Sequence, residues 1–185
     1  MCFWFTSVIN ILAVLENYDR KISPKQLTPL MARKRIESWC AYQERAQQET
    51  RDKLYEYGLH KTDVEQIISE LIGENFLNEE RFALAFAGGK FRIKQWGKIK
   101  IKLELRQRKV SDYCINKALK QIPDKDYFST LEKIIEKKSK LIKEPNKLKK
   151  HYKLLQYASS RGYETDLIVE VLKEIEKQNE PRFKK

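Results

Sequence analysis

Residues 54–71, LYEYGLHKTDVEQIISEL, carry an apolar pattern that returns twice further along the chain. It comes back in residues 105–122, LRQRKVSDYCINKALKQI, and in residues 158–175, ASSRGYETDLIVEVLKEI. In each stretch, apolar residues or Tyr occupy the first, sixth, eleventh, fourteenth, fifteenth and eighteenth places. Spacings of three and four residues are typical of helices that bury one face. A pattern that returns about every 50 residues indicates tandem modules.

Each copy of the pattern contains residues typical of a helix end, a short turn and the start of a second helix. Gly58 and Gly162 fall where the first helix should end, because Gly readily adopts the left-handed conformation that closes a helix. Lys109 occupies the equivalent place in the middle copy and departs from the pattern. A hydroxyl side chain that can cap the second helix follows each turn. These predicted caps are Thr62, Ser111 and Thr165.

A further helix precedes each pair, over about residues 31–46, 79–95 and 125–142, and Asn78 is placed to cap the second of these. We therefore predict an all-α chain of three tandem three-helix, helix-turn-helix-like repeats that form an elongated, curved array. The predicted boundaries run in order along the chain. They are an apolar leader and connector at 1–30, repeat 1 at 31–77, repeat 2 at 78–123, repeat 3 at 124–178 and a tail at 179–185.

The leader has three interpretations. Its apolar run, residues 2–15, is shorter than the roughly 20 residues of a membrane span. It also lacks the basic start and cleavage site of a secretory signal. The run is an extra helix packed on the body, a contact with a membrane surface, or the product of a mis-assigned start before Met31. The last of these is favoured here.

Residues 98–105, KIKIKLEL, alternate with a period of two and on their own resemble a strand. The repeat register places a helix there instead. In a helix, Ile99 and Leu103 lie nearly opposite Ile101 and Leu105. We therefore expect this helix to be buried on two sides by its neighbours.

The chain is strongly basic. Its 185 residues include 38 Lys and Arg against 26 Asp and Glu, a net charge of +12. This excess favours an anionic partner, which could be nucleic acid, an acidic membrane surface or an acidic protein. With 41% hydrophobic residues the chain can form a core, so disorder is excluded as its general state. The 3 cysteines form no closely spaced pair, which argues against disulfides or a zinc site and fits a reducing cytoplasm.

The charge is unevenly distributed. Residues 41–80 are acidic, residues 133–153 hold a run of lysines, and residues 90–109 hold nine basic residues against Glu104 alone. Phe91 and Trp96 lie among these cations, and grooves that bind single strands combine cations with stacking rings. The alternative is that both rings belong to the core and the cations form a solvated face. The candidate contact residues are Lys90, Arg92, Lys94, Trp96, Lys98, Lys100, Lys102, Arg106 and Arg108.

Signals for catalysis are lacking in the sequence. The stretch Gly88-Gly89-Lys90 does not make a phosphate-binding loop, because Leu84 and Phe91 stand where that motif needs Gly and Ser or Thr. His60 and His151 are isolated and do not suggest a metal site or a nucleophile with its base. We predict no catalytic residue, metal or cofactor, and no enzyme activity.

Several stretches together resemble the RecX family, small modulators of the RecA recombinase, over about residues 30–178. They are AYQER at 41–45, RDKL at 51–54, GL at 58–59, NFLNEERFA at 75–83, GKFR at 89–92 and WG at 96–97. The resemblance implies the same three tandem three-helix repeats. It also implies a non-enzymatic regulator, and more specifically an inhibitor, which binds the RecA–DNA filament. Such a regulator modulates the ATPase, recombinase and coprotease activities of RecA in DNA repair and the SOS response.

The resemblance also implies partners and contact residues. The expected partners are the RecA filament and single- or double-stranded DNA, with a monomeric cytoplasmic protein, no membrane and no cofactor. Arg81 joins the candidate contacts, although Arg81, Phe82 and Ala83 could equally pack the first two modules together. Relatives are expected to have a basic residue near Gly88, so the resemblance does not extend to a contact at that position. The alternative function is a general single-strand nucleic-acid-binding helical-repeat protein.

Overall fold

The computed structural model describes residues 26–179 of the 185-residue chain. Over that range the chain forms nine α-helices and no strand, which confirms the prediction of an all-α helical-repeat fold. Residues 1–25 of the predicted leader and connector, and residues 180–185 of the predicted tail, lie outside the described residues. The helices are α1 (Pro29–Tyr42), α2 (Gln47–Glu56), α3 (Lys61–Gly73), α4 (Glu79–Lys94), α5 (Lys98–Gln107), α6 (Asp112–Lys120), α7 (Asp124–Leu141), α8 (Lys147–Ser160) and α9 (Thr165–Asn179).

The three turns of the repeat share one backbone geometry. Gly58 and Gly162 have φ of +81° and +88°, as predicted for a left-handed helix end. Lys109 also adopts this conformation, with φ of 57°, so the departure in its sequence is not a departure in structure. Each turn is closed by an equivalent amide-to-carbonyl hydrogen bond. These are Leu59 to Leu54 at 3.4 Å, Val110 to Leu105 at 3.2 Å and Tyr163 to Ala158 at 3.3 Å.

The helix starts agree only in part with the predicted caps. The side chains of Asn78 and Ser111 accept the N–H groups of Arg81 and Cys114, as expected of helix caps. The prediction for Thr62 was wrong, because α3 begins at Lys61 and the extended residue before it, His60, takes the cap position without a side-chain bond.

Two other predicted helix limits also need correction. Thr165 is the first residue of α9 rather than its cap, and the carbonyl of Glu164 accepts the helical hydrogen bond from Ile168. The first helix, predicted to run to residue 46, ends at Tyr42, because Gln43 is extended with φ of −159°.

Two compact units divide the described chain. The first contains residues 26–43 and 49–76, and the second contains residues 44–48 and 77–179. In the first unit, Arg33 pairs with Glu37, Glu70 and Glu74. In the second unit, helices α4 to α9 and Ala46 contribute to one continuous apolar core.

Helix α5 is confirmed as a helix, but its predicted burial on two sides is wrong. Ile101 and Leu105 are completely buried, whereas Ile99 and Leu103 are 53% and 56% exposed. The reason is that α5 packs on α4 and α6 with one face only. The opposite face, which bears Ile99 and Leu103, is left to solvent.

Candidate interaction surface

Helix α4 is the base of the basic surface. Its buried side, formed by Phe82, Ala83, Ala87 and Phe91, anchors the helix in the core of the second unit. Phe86 and Lys90 lie one turn apart on a less buried side of the same helix. The Lys90 ammonium lies 5.0 Å from the centre of the Phe86 ring, so the sequence spacing alone brings a cation and an aromatic ring together.

The end of α4 directs Trp96 back toward this helix. Gln95 closes α4 in the left-handed conformation, with φ of 52°. The backbone N–H of Trp96 then donates to the Lys90 carbonyl at 3.3 Å. The indole is half-buried and packs against the core. Two ammonium groups approach its ring, Lys90 at 5.1 Å and Lys100 at 4.8 Å from the centroid.

These side chains form a continuous patch of cations and rings, which we call the basic–aromatic face. Its members are Phe86, Lys90, Trp96, Lys100 and Arg108. The Arg108 guanidinium lies 4.9 Å from the Phe86 ring centre and also bonds the Glu104 carboxylate at 2.8 Å. Among residues 26–179, no carboxylate lies within ion-pair distance of Lys90 or Lys100. Two positive charges are therefore available to an anionic partner.

The first turn of α5 is held by the third module instead of by a capping side chain. The Gly97 N–H donates to the Arg161 carbonyl at 2.9 Å, and the Ile99 N–H donates to the Gly162 carbonyl at 3.0 Å. Between them, the Lys98 N–H donates to the Tyr127 hydroxyl at 2.8 Å. Three of the four N–H groups that lack a partner at the start of a helix are thereby satisfied, and the start of α5 is fixed on the turn between α8 and α9.

Two buried tyrosines complete this contact, which we call the 97–162 joint. The Tyr127 hydroxyl donates to Glu164 at 2.7 Å, and its ring stacks on Tyr163 with 4.9 Å between centroids. Burial raises the pKa of Tyr127 well above its usual range, and the Glu164 carboxylate raises it further. The Tyr163 hydroxyl donates to the Gln95 carbonyl at 3.3 Å. The joint thus fixes both the end of α4 and the start of α5.

Besides Arg108, three of the predicted contact residues are paired with carboxylates. Lys98 bonds Asp124 at 2.9 Å and lies over the Tyr127 ring, at 4.6 Å from its centre. Arg106 bonds Asp112 at 2.9 Å. Arg81 pairs with Glu44 within the second unit. These pairs reduce the charge that each cation can offer to a partner.

The remaining predicted residues lie around the face. Arg92 and Lys94 are exposed in the last turn of α4, where cations interact favourably with the helix end. Lys102 is half-buried on α5, on the side away from α4. Phe91, which the sequence allowed as either a stacking or a core residue, is buried. Its ring lies 5.9 Å from that of Tyr127, and it belongs to the core.

Phe86 and the 97–162 joint were not among the features predicted from the sequence. Phe86 could have been found, because it stands four residues before Lys90 within a predicted helix. The joint connects residues that are more than 60 positions apart, such as Arg161 and Lys94, whose side chain and carbonyl meet at 2.9 Å. No local pattern marks such a contact.

Two other kinds of site are absent from the described part of the chain. None of its helices combines the length and the apolar character needed to cross a bilayer. Residues 26–179 also contain no group of three or more His, Cys, Asp or Glu that could hold a metal ion.

The fold and the surface define an all-α helical-repeat protein with a preformed basic–aromatic face. Models of the second and third three-helix domains of RecX match residues 78–119 and 124–172. The "Regulatory protein RecX" of Clostridium acetobutylicum is 32% identical over 154 residues, which cover 81% of this chain and 71% of that protein. The chain therefore belongs to the RecX family, as its sequence motifs predicted.

Other relatives carry the same name but are longer than the part that this chain matches. The "Regulatory protein RecX" of Clostridium perfringens is 33% identical over 124 residues, which cover 66% of this chain and 58% of that protein. The match to the relative from Bacillus mycoides is 24% identical and covers 77% of this chain and 53% of that protein. This chain thus spans little more than half the length of these two relatives.

Solved structures share the fold. The crystal structure of RecX from Lactobacillus salivarius superposes with a TM-score of 0.73 at 22% identity, covering 80% of this chain and 96% of that one. A second structure, of "regulatory protein RecX", gives a TM-score of 0.73 at 19% identity, with 78% and 71% covered. At these identities the likeness establishes the arrangement of helices alone.

Proposed function

We propose that this chain regulates RecA by binding the RecA–DNA filament, and that it acts as an inhibitor. Membership of a family whose relatives are called regulatory proteins supports the regulatory role. The observation that carries the proposal on this chain is the basic–aromatic face. It presents Lys90 and Lys100 beside Trp96 without carboxylate partners among the described residues.

The basic–aromatic face suits a partner in which an anionic polymer, DNA, is coated by protein. Lys90 and Lys100 contact phosphates or acidic side chains, and each phosphate contact releases counterions and so favours binding. The 97–162 joint holds α5 in place before binding, which lowers the entropy lost on complex formation. Such a regulator needs no catalytic group, because it acts on RecA solely by remaining bound to the filament.

Inhibition follows from this occupancy. A protein bound along the filament opposes the rearrangements that accompany ATP hydrolysis and strand exchange, and it covers surface that other proteins need. The ATPase, recombinase and coprotease activities of RecA therefore fall together. In this proposal the chain acts as a monomer in the cytoplasm, in DNA repair and the SOS response.

The test measures the rate of ATP hydrolysis by the host RecA on single-stranded DNA while this protein is titrated in. We expect inhibition well below one copy per RecA. The double variant Lys90→Gln with Lys100→Gln should need about tenfold more protein, the loss expected when residues central to an interface are removed. A matched control, Lys120→Gln with Lys125→Gln, removes the same charge from two exposed positions of the second unit. An unchanged ATPase over a broad titration contradicts the proposal.

The second candidate function is general binding of single-stranded nucleic acid. The observation that favours it is the exposed part of the Trp96 ring between two lysines, since aromatic rings and cations bind single strands with little regard to sequence. It predicts steeply salt-dependent binding to bare strands and an unaltered RecA ATPase. The same titration therefore separates the two functions.

A further inference from the structure

The solvent side of α5 carries an apolar pair that the basic–aromatic face does not explain. Ile99 and Leu103 stand one helical turn apart and are 53% and 56% exposed. The buried face of the same helix is already supplied by Ile101 and Leu105. Two branched aliphatic side chains of α5 therefore point away from the protein core and into solvent.

Cations border this pair on both sides. Lys100 lies on the side of α4, where its ammonium approaches the Trp96 ring at 4.8 Å. Lys102 and Arg106 lie on the other side, and Arg106 bonds Asp112 of α6 at 2.9 Å. We call these five residues, Ile99, Lys100, Lys102, Leu103 and Arg106, the α5 ridge.

We infer that the α5 ridge docks on a protein surface that has an apolar patch with an acidic border, and that the RecA protein of the filament provides this surface. The inference rests on the proposed function and assigns the ridge to the protein component of the filament. Phosphodiester chains complement the cations but offer almost no apolar surface to Ile99 and Leu103. An acidic protein surface complements both.

The basic–aromatic face and the α5 ridge adjoin each other and share Lys100, and each suits a different component of the filament. The basic–aromatic face, whose Lys90 and Lys100 have no carboxylate partner within residues 26–179, suits the nucleic acid, and the α5 ridge suits the protein. A second copy of this chain is a poor occupant, because two cationic ridges repel each other and the whole chain carries a net charge of +12. The 97–162 joint holds the ridge rigid, since the Ile99 amide itself donates to the Gly162 carbonyl at 3.0 Å.

The experiment compares binding of the protein to RecA-coated and to bare single-stranded DNA by fluorescence anisotropy. The test variant, Ile99→Ser with Leu103→Ser, leaves every charge in place. We expect it to bind the coated strand at least about tenfold more weakly, and the bare strand within about twofold of the wild type. The control variant, Met31→Ser with Ile72→Ser, changes two aliphatic residues of the first unit that are 52% and 43% exposed, and should bind both strands normally.

Each other outcome overturns the inference. An equal loss on both strands makes the ridge a nucleic-acid site. Unchanged binding of the test variant to the coated strand removes the ridge from the interface but leaves the proposed function intact. Absence of wild-type binding to the coated strand refutes both. A wild-type dimer in sedimentation that the test variant abolishes makes a second copy the occupant. Circular dichroism verifies that the variants keep their helices.

Discussion

Replacing Gly97 by Ala adds one methyl group where the start of α5 meets the turn between α8 and α9. The added Cβ would lie 2.1 Å from the carbonyl oxygen of Gly162 and 2.4 Å from the nitrogen of Tyr163. The backbone of Gly97 itself, with φ of −75° and ψ of 162°, is one that Ala adopts freely. The substitution therefore tests the close approach of two backbones and nothing else.

The cost can be worked out from these distances. An ordinary contact begins near 3.4 Å, so the two segments must separate by more than 1 Å. That shift breaks the hydrogen bonds from Gly97 to Arg161 and from Ile99 to Gly162, which are 2.9 and 3.0 Å long. Each is worth about 1 kcal/mol, and an overpacked contact costs about 1–3 kcal/mol more. The expected loss in the free energy of unfolding is about 3–5 kcal/mol.

Gly89 provides the matched control. It lies within α4, and a Cβ added there meets nothing within 4 Å. Ala forms helices better than Gly, so Gly89→Ala should stabilise the protein by about 0.5–1 kcal/mol. The same chemical change is therefore expected to have opposite effects on stability at two positions that are eight residues apart in the chain.

Urea unfolding followed by circular dichroism measures both variants. A Gly97→Ala protein within about 1 kcal/mol of the wild type would show that the 97–162 joint does not hold α5. A Gly89→Ala protein destabilised to the same degree would refute the structural explanation, because the cost would then be independent of the space around the glycine.

Three further predictions use the same unfolding assay. Leu105→Ala should lower the free energy of unfolding by about 2–5 kcal/mol because Leu105 is completely buried. Leu103→Ala, at an exposed position, should lower it by less than about 0.5 kcal/mol. Equal losses would contradict the one-sided packing of α5. Lys109→Gly should stabilise by about 1 kcal/mol, since Gly adopts the left-handed conformation without strain, and a loss of stability would oppose this. Burial raises the pKa of Tyr127 and Tyr163 above the ordinary 10.0, so their stabilising effect is present below pH 10 and is lost as the pH rises above it. The free energy of unfolding should therefore fall less steeply above pH 10 in Tyr127→Phe than in the wild type, and identical slopes would exclude this role.

The repeat was largely predictable from the sequence because its signals are local. Apolar spacing placed the helices, and the two turn glycines marked their ends. Lys109 was harder to interpret, because a lysine seldom adopts positive φ and only the equivalence of the three turns shows that it does. The exposure of Ile99 and Leu103 was not predictable, since a helical pattern does not show how many sides of a helix have neighbours.

The candidate surface was predicted only as a set of cations. Charge and aromatic spacing identified Lys90, Trp96 and Lys100, which the structure brings together. The same pattern did not distinguish them from Lys98, whose charge is paired with Asp124, 26 residues further along the chain. Pairing of this kind depends on how helices pack, so it is not visible in the charge of a segment.

We propose that this chain recognises the RecA–DNA filament in preference to nucleic acid in general. The most direct measurement is its affinity for single-stranded DNA with and without bound RecA, at the same ionic strength. We predict tighter binding to the coated strand, because the α5 ridge and the basic–aromatic face are then both occupied. Equal or weaker binding to the coated strand would contradict the claim and leave a general single-strand-binding protein.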